Sequence, residues 1–174
     1  PGCGKTALLE KTLEMVAGEM KLAVMVGDLT TARDAQRMSQ WCPQVVQINT
    51  GKSCHLEANH VLQALEKIDL GNVDLLFIEN VGNLICPVGF DLGQDVKVGM
   101  FSVAEGDDKP AKHPYIVAEA SALILNKVDL LPYVPFRKEV FDQDIRRLNN
   151  HAPVSELSVT SGAGLDAWLD WLRD

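Results

Sequence analysis

The chain opens with Pro1-Gly2-Cys3-Gly4-Lys5-Thr6, which matches the second half of the phosphate-binding pattern G-x-x-x-x-G-K-[ST]. In the whole pattern, backbone N–H groups of a glycine-rich turn hold the phosphates. The lysine meets the β- and γ-phosphates, and the Ser or Thr hydroxyl binds Mg²⁺. We therefore assign these two roles to Lys5 and Thr6. The remaining phosphate contacts would come from the backbone of Gly2, Cys3, Gly4, Lys5, Thr6 and Ala7.

The residues after this loop predict a helix over residues 6–20. Their apolar side chains recur at helical spacing, namely Leu8, Leu9, Leu13, Met15 and Val16. A helix amino terminus favours an anion, which suits a phosphate-binding loop. The same residues also fit an ordinary glycine turn before a helix. Motifs later in the chain are therefore needed to distinguish a phosphate-binding loop from such a turn. Neither the first glycine of the pattern nor its strand precedes Pro1, and we expect a domain truncated within its phosphate loop.

Length and composition predict a single acidic domain over residues 1–174. The net charge is −8, which argues against a nucleic-acid partner because phosphate-backbone binding needs clustered Lys and Arg. No apolar run approaches the roughly 20 residues of a membrane span. We therefore expect no membrane partner and a cytoplasmic location. The four cysteines are too scattered for a disulfide scaffold, which favours reduced thiols or metal ligands.

Short apolar runs alternate with amphipathic stretches along the chain. The runs predict buried strands at residues 22–26, 45–48, 74–79, 97–103, 123–125 and 154–159. The amphipathic stretches predict further helices at residues 35–41, 56–68 and 165–172. This order predicts an α/β fold: a three-layer, Rossmann-like P-loop domain with a mostly parallel central sheet that lacks its first strand.

Carboxylates follow the predicted strands at positions suited to a ligand. Asp28 follows the first run and Asp34 lies in the loop beyond it, where either could instead cap the next helix. Glu79 ends the run at 74–79, and residues 79–82 form a variant of the D-x-x-G segment that holds Mg²⁺ and senses the γ-phosphate. Because open α/β sheets bind ligands at the carboxyl ends of their strands, we expect Asp28 to contact the nucleotide or Mg²⁺.

The most discriminating short motif is Asn126-Lys127-Val128-Asp129, directly after an apolar strand. The Asp129 carboxylate can accept two hydrogen bonds from guanine, a pairing that adenine cannot offer. The Lys127 stem would lie along the base, and the Asn126 amide can brace neighbouring loops. Behind a strand and downstream of Gly-Lys-Thr, this motif predicts guanine binding. Ser158 and Val159 would present backbone to the same base.

Cys54, His55 and Cys86 form a possible metal site. Thiolate and imidazole are ligands that suit Zn²⁺ or Ni²⁺. Three ligands leave a site incomplete, and a two-fold dimer could complete or share it. Buried cysteines and a histidine at a helix start are the structural alternative.

Several segments together resemble the HypB family of hydrogenase nickel-incorporation GTPases. They are Gly27-Asp28-Leu29, Asp34-Ala35, Asn49-Thr50-Gly51, Cys54-His55-Leu56, residues 78–84, Cys86-Pro87, residues 90–93, residues 105–110 and residues 126–129. The likeness spans essentially the whole chain, and the motifs within residues 49–87 are highly specific to that family.

The resemblance implies a GTPase of the SIMIBI class that uses GTP, Mg²⁺ and either Ni²⁺ or Zn²⁺. It implies that Lys5 and Thr6 bind phosphate and Mg²⁺, and that Asp34 and Glu79 act in the switches, with Glu79 also at Mg²⁺. Cys54, His55 and Cys86 would be metal ligands at a homodimer interface. The residues that would read guanine are Asn126, Lys127 and Asp129.

The resemblance also implies partners and a client. Nucleotide and metal would promote a homodimer, a HypA-like nickel metallochaperone would be its companion, and the precursor of the hydrogenase large subunit would receive nickel. A urease accessory GTPase resembling UreG is an alternative, although we expect that family to bind metal through a Cys-Pro-His motif, and Cys86-Pro87 is followed here by Val88. A metal-binding scaffold without useful turnover is a third possibility.

Overall fold

The computed structural model describes residues 2–28, 33–51 and 53–174, with the backbone alone at residues 28, 33 and 34. The described chain divides into two compact units. The first contains Lys5–Gly93, and the second contains Gly2–Gly4 with Gln94–Asp174. Each unit has a three-stranded parallel sheet. Parallel α/β architecture is confirmed, with two sheets where the sequence predicted one, because burial patterns identify strands without saying which of them pair.

The elements of the first unit alternate between helix and strand. They are α1 (Lys5–Val16), β1 (Leu22–Asp28), α2 (Arg33–Met38), β2 (Gln44–Asn49), α3 (Ala58–Leu65) and β3 (Leu75–Glu79), with a short 3-10 helix at Leu70–Asn72. The strand order is β2-β1-β3. Asp28 pairs with Asn49, and Val26 pairs with Glu79. The loops after β2 and β3 therefore leave the same edge of the sheet on either side of β1.

The central strand β1 is buried on both faces. Ala23, Val24 and Met25 have no exposed surface. Ala23 and Met25 pack with Leu56 and with side chains of α3, whereas Val24 points to the opposite face because side chains alternate along a strand. The continuous apolar run predicts this two-sided burial.

The second unit repeats the parallel arrangement. Its elements are β4 (Val98–Ser102), α4 (Lys109–Lys112), α5 (Pro114–Glu119), β5 (Ala122–Asn126), α6 (Lys138–Leu148), β6 (Val154–Glu156) and α7 (Leu165–Arg173), with 3-10 helices at Val103–Glu105 and Val128–Tyr133. The strand order is β4-β5-β6. A core of buried side chains that includes Phe101, Leu125 and Phe141 joins the sheet to α6. Ser102 pairs with Asn126, so two strand ends coincide.

Helix boundaries differ from the sequence predictions for local reasons. The helix predicted at 6–20 ends at Val16, because Gly18 has a φ of 93° and helices commonly end at such a left-handed glycine. The helix predicted at 56–68 begins only at Ala58. Leu56 instead lies fully buried in the core, and Glu57 caps the helix by donating its N–H to His60 Nδ1 at 3.1 Å.

The sequence reasoning did not predict α6 or the short helices α4 and α5. In α6, Phe141 and Ile145 are buried four residues apart, which is the spacing of one helix face. Charged residues occupy much of the rest of the helix and weaken this signal. Within the described ranges, every helix is too short or too polar to span a bilayer.

Asp107 ties the loop after β4 to the start of α6. Its Oδ2 accepts hydrogen bonds from the Arg137 backbone N–H at 2.9 Å and from Arg137 Nε at 2.7 Å, and its Oδ1 accepts one from Nη2 at 3.1 Å. The side-chain hydrogen bond to Arg137 is the main reason that the pKa of Asp107 falls to about 2. Arg137 directly precedes α6, so this pair fixes where the helix begins.

We expect Asp107→Asn to lower the urea midpoint at neutral pH and to matter progressively less in acid. The ionised carboxylate stabilises the fold above its unfolded pKa of about 4, and this contribution is lost as the pH falls through the folded pKa of about 2. Asp108→Asn is the matched control, because Asp108 pairs with Lys112 on an exposed surface. Urea unfolding across the acid range tests this, and equal effects at both positions would contradict it.

Candidate functional site

Thr6 and Glu79 meet at the carboxyl edge of the first sheet. Thr6 lies in the first turn of α1, and Glu79 is the last residue of β3. The Thr6 hydroxyl donates a hydrogen bond of 2.7 Å to Glu79 Oε1. Hydroxyl and carboxylate oxygens are hard ligands of the kind that Mg²⁺ takes, so this pair fits the predicted magnesium ligands. Lys5 begins the same helix and Ala7 follows with its side chain exposed.

The loop after β2 carries Cys54 and His55. Hydrogen bonds within this loop shape it: Asn49 Oδ1 accepts the Gly51 N–H at 2.8 Å, and Ser53 Oγ donates to the His55 carbonyl at 3.0 Å. Side-chain hydrogen bonds therefore hold the described backbone on the amino-terminal side of Cys54 and at His55.

Leu56 anchors the end of this loop in the core. Its side chain has no exposed surface, and it lies directly over Gly27 at the carboxyl end of β1. A Cβ at Gly27 would lie 2.9 Å from Leu56 Cγ, so the close approach needs a glycine there. The position of His55 is therefore tied to the sheet through its neighbour.

The three predicted soft ligands are neighbours in the structure. Cys54 Sγ lies 3.8 Å from His55 Nδ1, close to the separation of about 3.5–4 Å that follows when sulfur and nitrogen bind one Zn²⁺. A hydrogen bond with the Cys86 thiol raises the pKa of Cys54, and burial raises it further. The His55 ring stacks on Phe90, with centroids 4.0 Å apart.

The arrangement of these ligands is open rather than closed. In the part of the chain that the structure describes, no group of three Cys, His, Asp or Glu side chains has the spacing of a metal site. Cys54 and His55 are nevertheless at ligand spacing, and the Cys86 thiol adjoins Cys54. The donors are soft and fit Zn²⁺ or Ni²⁺, while a complete site needs some movement or a further ligand.

Two asparagines organise the loop after β3, and the sequence reasoning gave neither a role. Asn80 Oδ1 accepts the N–H of Leu56 at 2.9 Å and that of Val81 at 2.8 Å. Asn83 Oδ1 accepts the N–H of Cys86 at 3.3 Å and that of Ile85 at 2.9 Å. Asn80 directly follows a carboxylate at a strand end, and this position is the one signal that could have identified it.

In the second unit, Asn126 braces two loops as its motif predicts. Its Nδ2 donates to the Cys3 carbonyl at 2.8 Å, and its Oδ1 accepts the Val159 N–H at 3.3 Å. Asn126 is 2% exposed at the end of β5. The amide thereby connects Gly2–Gly4 with the loop after β6.

Lys127 and the two glycines of the opening loop adopt left-handed backbone. Lys127 has a φ of 63°, and its Nζ donates to the Gly2 carbonyl at 2.7 Å. Gly2 and Gly4 have φ values of 90° and 98°. A Cβ at Gly4 would lie 2.5 Å from Asn126 Nδ2, so glycine is required there on both counts.

The remaining predicted residues fall in three places. Asp129 lies in the 3-10 helix after Lys127. Ser158 is fully buried, and its Oγ accepts the Ser161 N–H at 3.1 Å, which shapes the loop after β6 beside Val159. Asp28 ends β1 and Asp34 lies in α2, but the side chains of both are outside the described residues.

Comparison with known proteins gives one consistent result. A family model described as CobW/HypB/UreG, nucleotide-binding domain, matches residues 1–156. The hydrogenase maturation factor HypB of Escherichia coli strain K12 is 46% identical over 173 residues, which cover 99% of this chain and 60% of that relative. The probable hydrogenase maturation factor HypB of Methanocaldococcus jannaschii is 43% identical over 172 residues, covering 99% and 78%.

A solved structure agrees with the sequence relatives. The crystal structure of HypB from Helicobacter pylori in complex with nickel matches with a TM-score of 0.93 and 36% identity, covering 99% of this chain and 81% of that one. The P-loop α/β fold is therefore confirmed. The chain spans about 60% of the length of the E. coli relative. On the family model and these identities, the chain belongs to the CobW/HypB/UreG nucleotide-binding domain family, in its HypB branch.

Proposed function

We propose that this chain is the GTP-binding and GTP-hydrolysing domain of a nickel metallochaperone for hydrogenase maturation. The single observation that carries the proposal is the short segment from Glu79 to Cys86. Its first residue hydrogen-bonds the phosphate-loop hydroxyl of Thr6 at 2.7 Å, and its last residue adjoins Cys54. A change at the nucleotide can therefore move a metal ligand.

In the phosphate-binding half of this proposal, Lys5 neutralises charge on the phosphates while the backbone from Gly2 to Ala7 donates N–H groups to them. Thr6 and Glu79 hold Mg²⁺, which supplies charge neutralisation to the phosphates when it is bound. We assign Asp34 to the switch and Asp28 to the nucleotide side of the same sheet edge.

In the base-binding half, Asp129 selects guanine by accepting two hydrogen bonds from it. Lys127 flanks the base with its stem, while Ser158 and Val159 offer backbone to it. Asn126 supports this arrangement because it fixes two backbone segments with one amide. The prediction that follows is a strong preference for GTP over ATP.

Nickel is the cargo in this proposal, held by Cys54, His55 and Cys86. The soft donor set suits Ni²⁺ and Zn²⁺ alike, and the open arrangement leaves room for a ligand from a second copy. A homodimer would therefore form when nucleotide and metal bind. Because the relatives are hydrogenase maturation factors, we propose a HypA-like metallochaperone as donor partner and the hydrogenase large-subunit precursor as recipient.

The decisive experiment measures nickel release from the whole protein. GTP or a non-hydrolysable GTP analogue is added to nickel-loaded protein. A chromogenic chelator binds the released metal, and its absorbance reports the rate of release. We expect faster release with GTP, because hydrolysis removes the γ-phosphate that the Glu79 segment senses. Equal release with both nucleotides would refute this gating. A Thr6→Ala protein serves as the control, since it should bind the metal and lose the GTP-dependent acceleration.

A GTPase assay on the same protein distinguishes the enzyme from a metal-binding scaffold. We expect measurable turnover that Thr6→Ala abolishes. Metal binding with no turnover above that variant would favour the scaffold.

A further inference from the structure

The side chain of Asn80 joins the two loops that carry the soft ligands, in addition to the contact between the Cys54 and Cys86 thiols and the stacking of His55 on Phe90. Cys54 and His55 lie on the loop after β2, whereas Cys86 lies on the loop after β3, and β1 separates these strands. Asn80 directly follows Glu79, and its Oδ1 accepts the N–H of Leu56, the residue after His55, at 2.9 Å.

The two hydrogen bonds of Asn80 fix the orientation of its side-chain amide. Asn80 Oδ1 also accepts the N–H of Val81 at 2.8 Å. Both contacts come from backbone donors, so only the oxygen of the amide can occupy this position, and both of its lone pairs are used. The contact is part-buried, where an unpaired N–H on Leu56 would be costly.

We propose that Asn80 is a positioning residue that makes the Cys54-His55 loop follow the Glu79 loop. The covalent chain already carries Cys86 along with Glu79. The hydrogen bond of Asn80 also links the Cys54-His55 loop to the residue after Glu79. A displacement of Glu79 therefore moves all three soft ligands together. The inference rests on the proposed function, because it deepens the link between nucleotide and metal.

Other contacts of the Cys54-His55 loop reach β1, the loop itself or the segment from Cys86 to Phe90, rather than the residue that follows Glu79. Leu56 packs over Gly27 of β1 in the core, which holds the loop against the central strand. Asn49 shapes the loop from within through Gly51. Among these contacts, that of Asn80 is the one that connects the residue after Glu79 with the residue after His55.

The test is hydrogen exchange on the whole protein without soft metal, which isolates the link from metal binding. Exchange at the Leu56 amide and in residues 53–58 is compared between protein with GDP and protein with a non-hydrolysable GTP analogue. In the native protein we expect the two nucleotides to give rates that differ about fivefold or more, within the usual range of coupling between sites. In Asn80→Ala, the two rates should agree within about twofold, with Leu56 exchanging faster in both states.

Two further variants keep the test specific. Asn49→Ala removes a comparable side-chain-to-backbone hydrogen bond in the same loop, and it should leave the nucleotide dependence intact. Asn80→Asp keeps an acceptor of the same shape for both N–H groups, and it should retain the dependence that Asn80→Ala loses. The inference would be overturned if exchange in residues 53–58 still depended on the nucleotide in Asn80→Ala. It would also be overturned if Asn49→Ala lost this dependence to the same extent as Asn80→Ala.

Failure of the proposed function would look different. If the native protein does not bind the GTP analogue, as measured by calorimetry, the proposed function fails. If it binds the analogue and residues 76–83 change their exchange while residues 53–58 do not, the proposed function stands and the role of Asn80 falls.

Discussion

Gly164→Ala should lower the free energy of unfolding by about 3 kcal/mol or more, placing it among the severest single substitutions. Gly164 precedes α7 with a φ of 73°. A Cβ there would lie 2.0 Å from the Glu156 carbonyl oxygen and 3.1 Å from Leu157 Cα. Both atoms belong to backbone, so neither can rotate away. Relief of the clash would separate the start of α7 from the end of β6.

Gly162→Ala is the matched control for this prediction. Gly162 has a φ of 82°, but a Cβ there would meet nothing within 4 Å. Gly162→Ala should therefore lower the free energy of unfolding only by the penalty for a left-handed non-glycine residue, about 1–2 kcal/mol. Urea unfolding followed by circular dichroism compares the two. If both alanine variants lose the same stability, the clash with Glu156 is not a real constraint.

Gly4→Ala should weaken GTP binding about 100-fold or more, which corresponds to about 2.7 kcal/mol. Gly4 has a φ of 98°, and a Cβ would lie 2.5 Å from Asn126 Nδ2. That nitrogen donates to the Cys3 carbonyl, so the substitution would strain the opening loop and displace the asparagine that holds the loops proposed to bind phosphate and base.

Gly2→Ala separates these two effects. Gly2 has a φ of 90°, and a Cβ at this residue would have no neighbour within 4 Å, so only the backbone preference is lost. We expect a loss of about tenfold, in line with a left-handed penalty of about 1–2 kcal/mol. Titration with a fluorescent guanine nucleotide measures both affinities. A Gly2→Ala protein as weak as Gly4→Ala would show that contact with Asn126 is unimportant.

The sequence predicted those features that depend on local pattern. The apolar run before Glu79 was recognisable as a strand, but its prediction as a buried strand was wrong: β3 is half-buried because it lies at the side of its three-stranded sheet. The Glu79 carboxylate stands at the strand end, where a parallel sheet presents ligand-binding groups. Asn126 was predicted to brace loops, and it does so. In each case a strand and the polar residue that follows it are adjacent in the chain.

The features that were not predicted depend on contacts between distant residues. The bond from Leu56 to Asn80 joins residues 24 apart, and it exists because β1 pairs with both β2 and β3. Asp107, to which the sequence reasoning gave no structural role, holds Arg137 from 30 residues away. No local pattern encodes a strand order, so neither contact could be derived before the pairing of strands was known.

Nickel affinity in two nucleotide states tests most directly whether nucleotide and metal are linked through the segment from Glu79 to Cys86. Nickel is titrated into the whole protein bound to GDP and, separately, to a non-hydrolysable GTP analogue. We expect dissociation constants that differ about fivefold or more, and by reciprocity nickel should change the relative affinity for the two nucleotides by the same factor. Equal nickel affinities in the two states, with both nucleotides bound, would show that this segment does not link them.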